Sequence, residues 1–320
     1  MYYFIVNYTG GSGNARRTWN KVHYLLNEKN IEYKAYVTKK PGHAKKLAEK
    51  ISSFEDEDIR LIVVGGDGTI NEVLNGVKDL SKIRFGIIPT GSGNDFARGM
   101  GLPVDTIRVL DIILNSIEGK TIDLGEVTTG DGDKRIFGIS SGIGLDAIVC
   151  KKTIDSKLKK VLNKLRIGKL TYLVLTVTSL FSMETYDVKV QMKLSEDKKV
   201  VDGFETEDVE EIDFSRLIFL AAMNQTAEGG GVPMCPNALN DDGKISICAA
   251  SGITKLKAFL TLPKLVKAKH VGRKGFLLQD VESMILDADR EMVLHADGEY
   301  VGDVKHIEIR VLKNALNVLV

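Results

Sequence analysis

Leu61-Ile62-Val63-Val64 runs directly into Gly65-Gly66-Asp67-Gly68-Thr69-Ile70, after which Asn71-Glu72-Val73 opens a helical pattern. Glycines at the end of an apolar strand let main-chain N–H groups approach a phosphate that a Cβ would hold away. The helix N-terminus that follows adds positive partial charge. The spacing matches neither GxGxxG nor GxxxxGK[ST], because no lysine follows to reach the phosphates. It has an acid at its centre instead. A carboxylate inside a phosphate cradle repels its ligand unless a cation lies between them, so Asp67 predicts Mg²⁺ bridging to phosphates. The plainer reading is a tight strand-to-helix turn with Asp67 as its cap.

The architecture recurs. Phe85-Gly86-Ile87-Ile88 leads into Pro89-Thr90-Gly91-Ser92-Gly93-Asn94-Asp95-Phe96-Ala97-Arg98, again glycines, hydroxyls and a carboxylate after a strand. The first strand leads into Asn7-Tyr8-Thr9-Gly10-Gly11-Ser12-Gly13. Ligands of open α/β sheets bind at the carboxyl ends of strands, so the three loops are expected to line one crevice.

The elements that must carry these loops show in the patterning. Tyr3–Val6, Tyr33–Val37, Ile59–Val64 and Phe85–Ile88 read as buried strands, and Ala15–Glu28, His43–Ser52 and Thr106–Asn115 as helices between them. That is the βαβα order of an open parallel, Rossmann-like sheet, assigned to residues 1–122. From Ile122 onward the texture changes to alternating segments: Ile136–Ser140, Tyr186–Leu194, Leu217–Met223, Ile245–Ala249, Met284–Asp287 and Ile307–Val311. Alternation predicts antiparallel strands, and so a β-rich second domain over 123–320. Helical patches interrupt it at Ser156–Phe181 and Thr254–His270, and the acidic stretch Glu205–Asp213 reads as a solvated hairpin.

Composition narrows the classes. With 43% hydrophobic and 27% charged residues in 320, the chain has enough apolar side chains for two domain cores and is not disordered as a whole. Lys and Arg number 44 against 43 Asp and Glu, so no global field exists to hold nucleic acid. Cys150, Cys235 and Cys248 are odd in number and lack CxxC spacing, which argues against a disulfide framework or zinc site and fits a reducing compartment. Met1–Asn7 reads as a first strand rather than a signal peptide. Leu170–Met183 falls short of the ~20 apolar residues of a membrane span and reads as a buried helix.

These residues together resemble the diacylglycerol kinase catalytic-domain family of bacterial lipid kinases, which also includes sphingosine and ceramide kinases. The resemblance rests on Gly65–Thr69 with Asn71-Glu72, on Gly91–Arg98, on Pro236-Asn237-Ala238 with Asp242-Gly243, and on Asp297-Gly298-Glu299. It implies a mostly antiparallel β-sandwich as the second domain, in the manner of NAD kinase and diacylglycerol kinase. It implies ATP as phosphoryl donor, contacted by Asn7, Tyr8, Thr9, Gly10, Gly11, Thr38, Gly65, Gly66, Asp67, Gly68, Thr69, Ile70, Asn71, Glu72 and Ser92. Asp67 and Asp95 then belong to a magnesium network. Asp297 and Glu299 become the catalytic acids, one accepting the proton of a lipid hydroxyl and the other orienting it or joining the magnesium network. Leu239, Asp242 and Lys244 match a structural site where main-chain carbonyls and one carboxylate hold Mg²⁺ or Ca²⁺; from the residues alone Asp241-Asp242-Gly243 is equally an ordinary turn. One departure stands out: the family's first loop reads Asn-Pro-x-Ser-Gly, whereas Tyr8 and Gly10 replace the proline and the serine here.

The implied substrate is diacylglycerol, giving phosphatidic acid. Phosphatidylglycerol, a sphingoid base and a soluble substrate of NAD kinase type remain alternatives within the class, and a lipid or nucleotide sensor on a kinase scaffold is the alternative outside it. Charge distribution bears on how such a protein meets a lipid. From Gly243 to Gln279 there is no Asp or Glu, yet Lys255, Lys257, Lys264, Lys267, Lys269, Arg273 and Lys274 lie there. Lys157, Lys159, Lys160, Lys164 and Arg166 form a similar run. Basic amphipathic helices adhere to anionic bilayers, so a cytoplasmic, peripherally membrane-associated protein is expected, although such runs can equally be solvated faces. A homodimer is left open. The histidines form no ligand spacing; His295 lies near Asp297 and reads as a packed or surface residue.

Overall fold

The computed structural model describes residues 1–9, 14–56, 58–155, 168–201 and 204–320, and the chain forms two compact units. The first contains Met1–Leu124, with Gly229–Gly231 and Lys313–Val320 returning to it from later in the chain. The second contains Gly125–Glu228 and Val232–Leu312.

In the first unit β1 (Tyr2–Val6), β2 (Tyr33–Val37), β3 (Ile59–Gly65) and β4 (Ile83–Pro89) pair in the order β2-β1-β3-β4, all parallel. The alternating helices make this the consistent solution, because a parallel pair needs a crossover between its strands. Helix α1 (Asn14–Glu28) buries Ala15, Thr18, Trp19, Val22 and Leu26, one stripe at helical spacing, and Trp19 meets Phe4 with ring centroids 5.3 Å apart. The remaining helices of this unit are α2 (His43–Ile51), α3 (Asp67–Leu74), α4 (Asp95–Gly99) and α5 (Thr106–Asn115). Asp105 starts α5 by accepting from the amides of Ile107 and Arg108 at 2.9 and 3.0 Å. Val109, Leu110 and Ile113 then join Phe4, Ile62 and Val64 in the core.

The second unit is built on antiparallel pairs. β13 (Ser283–Ala296) pairs with β14 (Glu299–Val318), with β8 (Tyr186–Val201) through its first half and with β7 (Ser140–Gly144) through its last residues. Beyond β7 the order continues through β10 (Phe219–Met223), β11 (Ile245–Ala250) and β12 (Phe276–Val281). β5 (Lys120–Thr129) pairs with β6 (Lys134–Phe137), and β8 pairs with β9 (Phe204–Leu217). Helices α6 (Leu145–Asp155), α7 (Gly168–Ser182) and α8 (Lys255–Leu265) complete it.

Several expectations change. The expected strand Ile136–Ser140 is two strands, β6 and β7, parted at Gly138-Ile139. The acidic stretch Glu205–Asp213 does lie in a hairpin, the antiparallel β8–β9 pair, but as one arm of it within the long strand β9, whose described charged residues suit a strand paired on one side. Leu170–Met183 is not a buried helix: α7 buries Ser179 and Leu180 but leaves Leu173 54%, Val174 47% and Phe181 48% exposed. Among the described residues no helix is long and apolar enough to cross a membrane. The basic run Lys157–Arg166 lies outside the described residues.

Candidate active site

The parallel strands end at one edge of the first unit, and the expected loops start there. Asn7 continues β1 by donating its amide to Val64 O at 3.0 Å, Thr38 continues β2 by donating to Val6 O at 2.9 Å, and Thr90 leaves β4 by donating to Gly65 O at 2.8 Å. The Asn7 side chain then joins two of the loops. Its Nδ2 donates to Thr69 Oγ1 at 2.9 Å, while its Oδ1 accepts from the amide and hydroxyl of Thr9 at 3.1 and 2.7 Å. Tyr8 lies beside Arg16, whose guanidinium is 6.0 Å from the ring centroid. Thr9 and Ser92 are exposed, and Gly10 and Gly11 lie outside the described residues.

The glycine run is shorter as a loop than the sequence implied, because α3 begins at Asp67 with Gly66 as its cap. Gly68, Thr69 and Ile70 therefore belong to its first turn. Gly66 O accepts from the amides of Thr69 and Ile70 at 2.9 and 3.1 Å. Much of the glycine requirement comes from the two loops packing on one another: a Cβ on Gly66 would lie 3.0 Å from Gly91 Cα, and one on Gly91 would lie 2.8 Å from Gly66 Cα.

The structure brings Asp67 and Asp95 together around Gly93, where an added Cβ would sit 3.1 Å from Asp67 Oδ2 and 3.3 Å from Asp95 Oδ2. Asp67 accepts from the amides of Asp95 and Phe96, both at 3.2 Å, and so holds the start of α4. Asp95 is buried, paired with the Arg98 guanidinium, and accepts from the Gly230 amide at 2.7 Å. Arg98 also donates to Gly93 O at 2.7 Å. Gly230 supplies its amide from a run, Gly229 to Gly231, in which all three residues have positive φ, of 60°, 87° and 97°. Two carboxylates at a glycine turn form a hard oxygen donor set of the kind that suits Mg²⁺. Asp67 is thus also the capping residue of the plainer reading, although the helix it caps is α4 and not its own.

Other expected contacts point inward. Ile70 and Asn71 are buried, at 2% and 0% exposure. Glu72 reaches α2, accepting from the amides of Gly42 and Ala44 at 2.8 and 3.0 Å. That helix starts from Gly42, which offers no side-chain cap, so Glu72 fills the role from a different helix.

In the second unit Ala296 pairs with Glu299 across Asp297-Gly298, with φ of 51° and 80°. This is the two-residue hairpin turn that Asp-Gly favours, since both central residues need positive φ. The Asp297 carboxylate accepts from the amides of Gly138, Ile139 and Ser140 at 3.0, 2.7 and 3.1 Å, while the Asp297 amide donates to Ser140 O at 2.7 Å. Asp297 therefore ties the turn to the β6–β7 junction, and Glu299 opens β14, half-buried. His295 is buried rather than superficial: its Nε2 lies 3.1 Å from Asp146 Oδ2 and its Nδ1 accepts from the Gly298 amide at 3.2 Å. Burial alone would lower its pKa, but the hydrogen bond and charge of Asp146, with the charges of Glu228 and Asp297, raise it above the usual 6.5. Asp146 and Glu228 carried no sequence motif; strand register brings Gly142 of β7, shortly before Asp146, opposite His295, and Glu228 comes from the segment after β10.

Leu239, Asp242 and Lys244 occupy one turn. Asp242 Oδ1 accepts from the Lys244 amide at 3.1 Å and Gly243 has φ of 74°, the geometry of an Asp-started turn. Leu239 and Lys244 could offer a cation only main-chain carbonyls, which with the exposed Asp242 carboxylate make a donor set suited to Mg²⁺ or Ca²⁺.

A parallel α/β unit with carboxylates among its glycine turns, joined to an antiparallel sandwich unit carrying an Asp-Gly-Glu hairpin, defines the two-domain kinase class in which a diacylglycerol kinase catalytic domain precedes a NAD kinase-like sandwich. The diacylglycerol kinase catalytic domain matches residues 1–127, and the YegS C-terminal NAD kinase beta sandwich-like domain matches residues 142–320. The chain is 30% identical over 305 residues to the Bacillus subtilis protein named "Putative lipid kinase YtlR", covering 94% of each. It is 29% identical over 324 residues to a protein of Staphylococcus carnosus named "Diacylglycerol kinase", covering 98% of this chain and 95% of the other. A crystal structure from Bacillus anthracis str. Sterne, described as a "putative diacylglycerol kinase", superposes with a TM-score of 0.71 over 99% of this chain and 96% of that one. At 22% identity that likeness establishes the fold. The chain belongs to the diacylglycerol kinase-like lipid kinase family.

Proposed function

We propose that the protein is an ATP-dependent, Mg²⁺-requiring kinase that transfers the γ-phosphate to a lipid hydroxyl, with diacylglycerol as substrate and phosphatidic acid as product. The observation that carries the reading is the meeting of Asp67 and Asp95 around Gly93, within a fold that belongs to a lipid kinase family. Asp67 and Asp95 would hold the Mg²⁺, which when bound supplies positive charge to neutralise the phosphates as the bond to the leaving oxygen lengthens. Asn7, Thr9, Thr69 and Ser92 supply hydroxyl and amide donors beside the glycine turns. Glu299 accepts the proton of the lipid hydroxyl. Asp297, with three amide bonds on its carboxylate, orients the turn that presents Glu299.

The decisive assay measures ATP consumption with extracted membrane lipids and identifies the product by mass. Phosphatidic acid formation supports the reading; phosphorylation of phosphatidylglycerol, a sphingoid base or a soluble nucleotide redirects the substrate. A second reading, a lipid or nucleotide sensor on a kinase scaffold, is favoured by the main-chain amides already engaging Asp67, Asp95, Glu72 and Asp297. Nucleotide binding without turnover on any lipid would select it.

The proposed partner surface is an anionic bilayer at the cytoplasmic side. In α8, Leu256, Phe259 and Leu260 are 60%, 36% and 62% exposed and fall at i, i+3 and i+4, so they form a solvent-facing apolar stripe opposite the buried Ala258, Thr261 and Leu265. Phe181 of α7 extends it, its ring 5.8 Å from that of Phe259. Lys257, Lys264, Lys267, Lys269, Arg273 and Lys274 are exposed on or just after α8. Apolar side chains with cations beside them match the interface between acyl chains and anionic headgroups.

A further inference from the structure

We propose that His295 is a positioning residue for the Asp297-Gly298-Glu299 turn, holding it through the hydrogen bond that Nδ1 accepts from the Gly298 amide, with Asp146 fixing the ring tautomer that makes this bond possible. The inference deepens the kinase reading, because it concerns how the turn bearing Glu299 is kept in place.

The tautomer follows from the partners. A main-chain amide can only donate, so Nδ1 must present a lone pair to Gly298 N, 3.2 Å away. The neutral ring then carries its proton on Nε2, which faces Asp146 Oδ2 at 3.1 Å. Each nitrogen has one task, and at 1% exposure water cannot substitute for either partner. The backbone is held as well: Ser141 Oγ donates to His295 O at 2.8 Å, and an added Cβ on Gly142 would crowd the ring from β7, 2.9 Å from Nε2.

Asp146, Glu228 and His295 present ligand atoms within 4.8 Å of one another, which invites comparison with a metal site. The Gly298 bond argues against one. An imidazole bound to metal through Nε2 keeps its proton on Nδ1 and donates from it, whereas here Nδ1 accepts.

Protonation is the event this arrangement registers. A doubly protonated ring has no lone pair for Gly298, so the bond to the turn is lost. The charged groups facing the ring are Asp146 at the start of α6, Glu228 from the segment after β10 and Asp297 from the turn itself, all carboxylates. They favour the imidazolium, so the contact opens as pH falls through a value above 6.5.

The test uses the full chain and two variants. His295→Asn keeps an acceptor near the Nδ1 position and does not titrate; His295→Leu removes the acceptor. In ¹⁵N NMR the wild-type ring should show its proton on Nε2 at high pH, and the Gly298 amide shift should follow the ring's titration and become flat in His295→Asn. In the lipid kinase assay His295→Leu should lower kcat about 10-fold or more, with KM for ATP unchanged, because small displacements of a reacting group are costly. His295→Asn should recover most of that loss and lack the acid limb. A ring protonated on Nδ1, a Gly298 amide indifferent to the ring's titration, or wild-type kcat in His295→Leu overturns the proposal. Glu299→Gln in the same assay keeps the two ideas apart: full kcat there removes the role of Glu299, while the ring-to-turn contact is still decided by NMR.

Discussion

Asp297 and Glu299 are two residues apart, and the proposed mechanism gives them different work. Asp297 accepts from the amides of three successive residues, Gly138 to Ser140, so replacing one of its oxygens by an NH₂ sets donor against donor. Asp297→Asn is expected to cost about 1–3 kcal/mol of stability, seen as a lower urea midpoint. Glu299→Gln should leave that midpoint unchanged and lower kcat by roughly 10²–10⁴, the usual range for general base catalysis. If Asp297→Asn is as stable as wild type while Glu299→Gln keeps full kcat, the division of roles is wrong. Asp67→Asn should reduce Mg²⁺-dependent turnover at least ~100-fold, since a metal clamp contributes several kcal/mol. Near-normal turnover in the folded variant would return Asp67 to the plain capping role. Asp146 adds a pH signature. With the folded His295 pKa raised, the Asp146–imidazolium pair contributes stability that is full below about 6.5 and lost as pH rises through the folded value. Asp146→Asn should flatten that dependence in thermal melts across the window, and an unchanged slope would show that Asp146 does not set it.

At the scale of elements, Glu72 shows why part of the site was illegible in sequence. The family resemblance implied nucleotide contact for it, and its carboxylate caps α2, accepting from amides 28 and 30 residues earlier. No local pattern records a cap supplied from another helix. Glu72→Ala is expected to cost about 1 kcal/mol, as lost caps do, with KM for ATP unchanged. A large rise in KM at constant stability would support the nucleotide role instead. Most strands and helices of the first unit were legible because buried apolar runs and helical stripes alternate there; Tyr33–Val37 and Thr106–Asn115 have the expected bounds, but Tyr33–Val37 is not the buried strand expected, since β2 ends the strand order and buries none of its residues. In the second unit the signal failed where its physical basis was absent. Phe276–Val281 has no period-2 pattern because most of it is half-buried, and the β6–β7 break depends on Asp297, about 160 residues further on. The glycine cluster was visible as composition, but the Gly230-to-Asp95 bond spans 135 residues and only the fold reveals it.

For the molecule as a whole, the net charge of +1 conceals a strong local asymmetry. The stretch from Gly243 to Gln279 is free of acids, and its exposed lysines accompany an apolar stripe that a purely solvated face has no reason to carry. The two parts predict different things. Attraction between lysines and anionic headgroups acts through water and is screened beyond ~8 Å at physiological ionic strength, so the charged contribution should weaken as salt rises. Burial of Leu256, Phe259 and Leu260 in the acyl boundary is insensitive to screening and should survive it. Reversing Lys264, Lys267 and Lys269 to Glu is therefore expected to abolish the preference for anionic vesicles and to lower activity on vesicles more than on a short-chain soluble lipid. Leu256→Ser with Leu260→Ser should weaken vesicle binding at every salt concentration while preserving the anionic preference. Sedimentation with vesicles of fixed anionic fraction, repeated across a salt series, separates the two contributions. Equal binding of both variants and the wild type, or equal binding to neutral and anionic vesicles, would mean that this face meets only solvent and that the lipid is reached elsewhere.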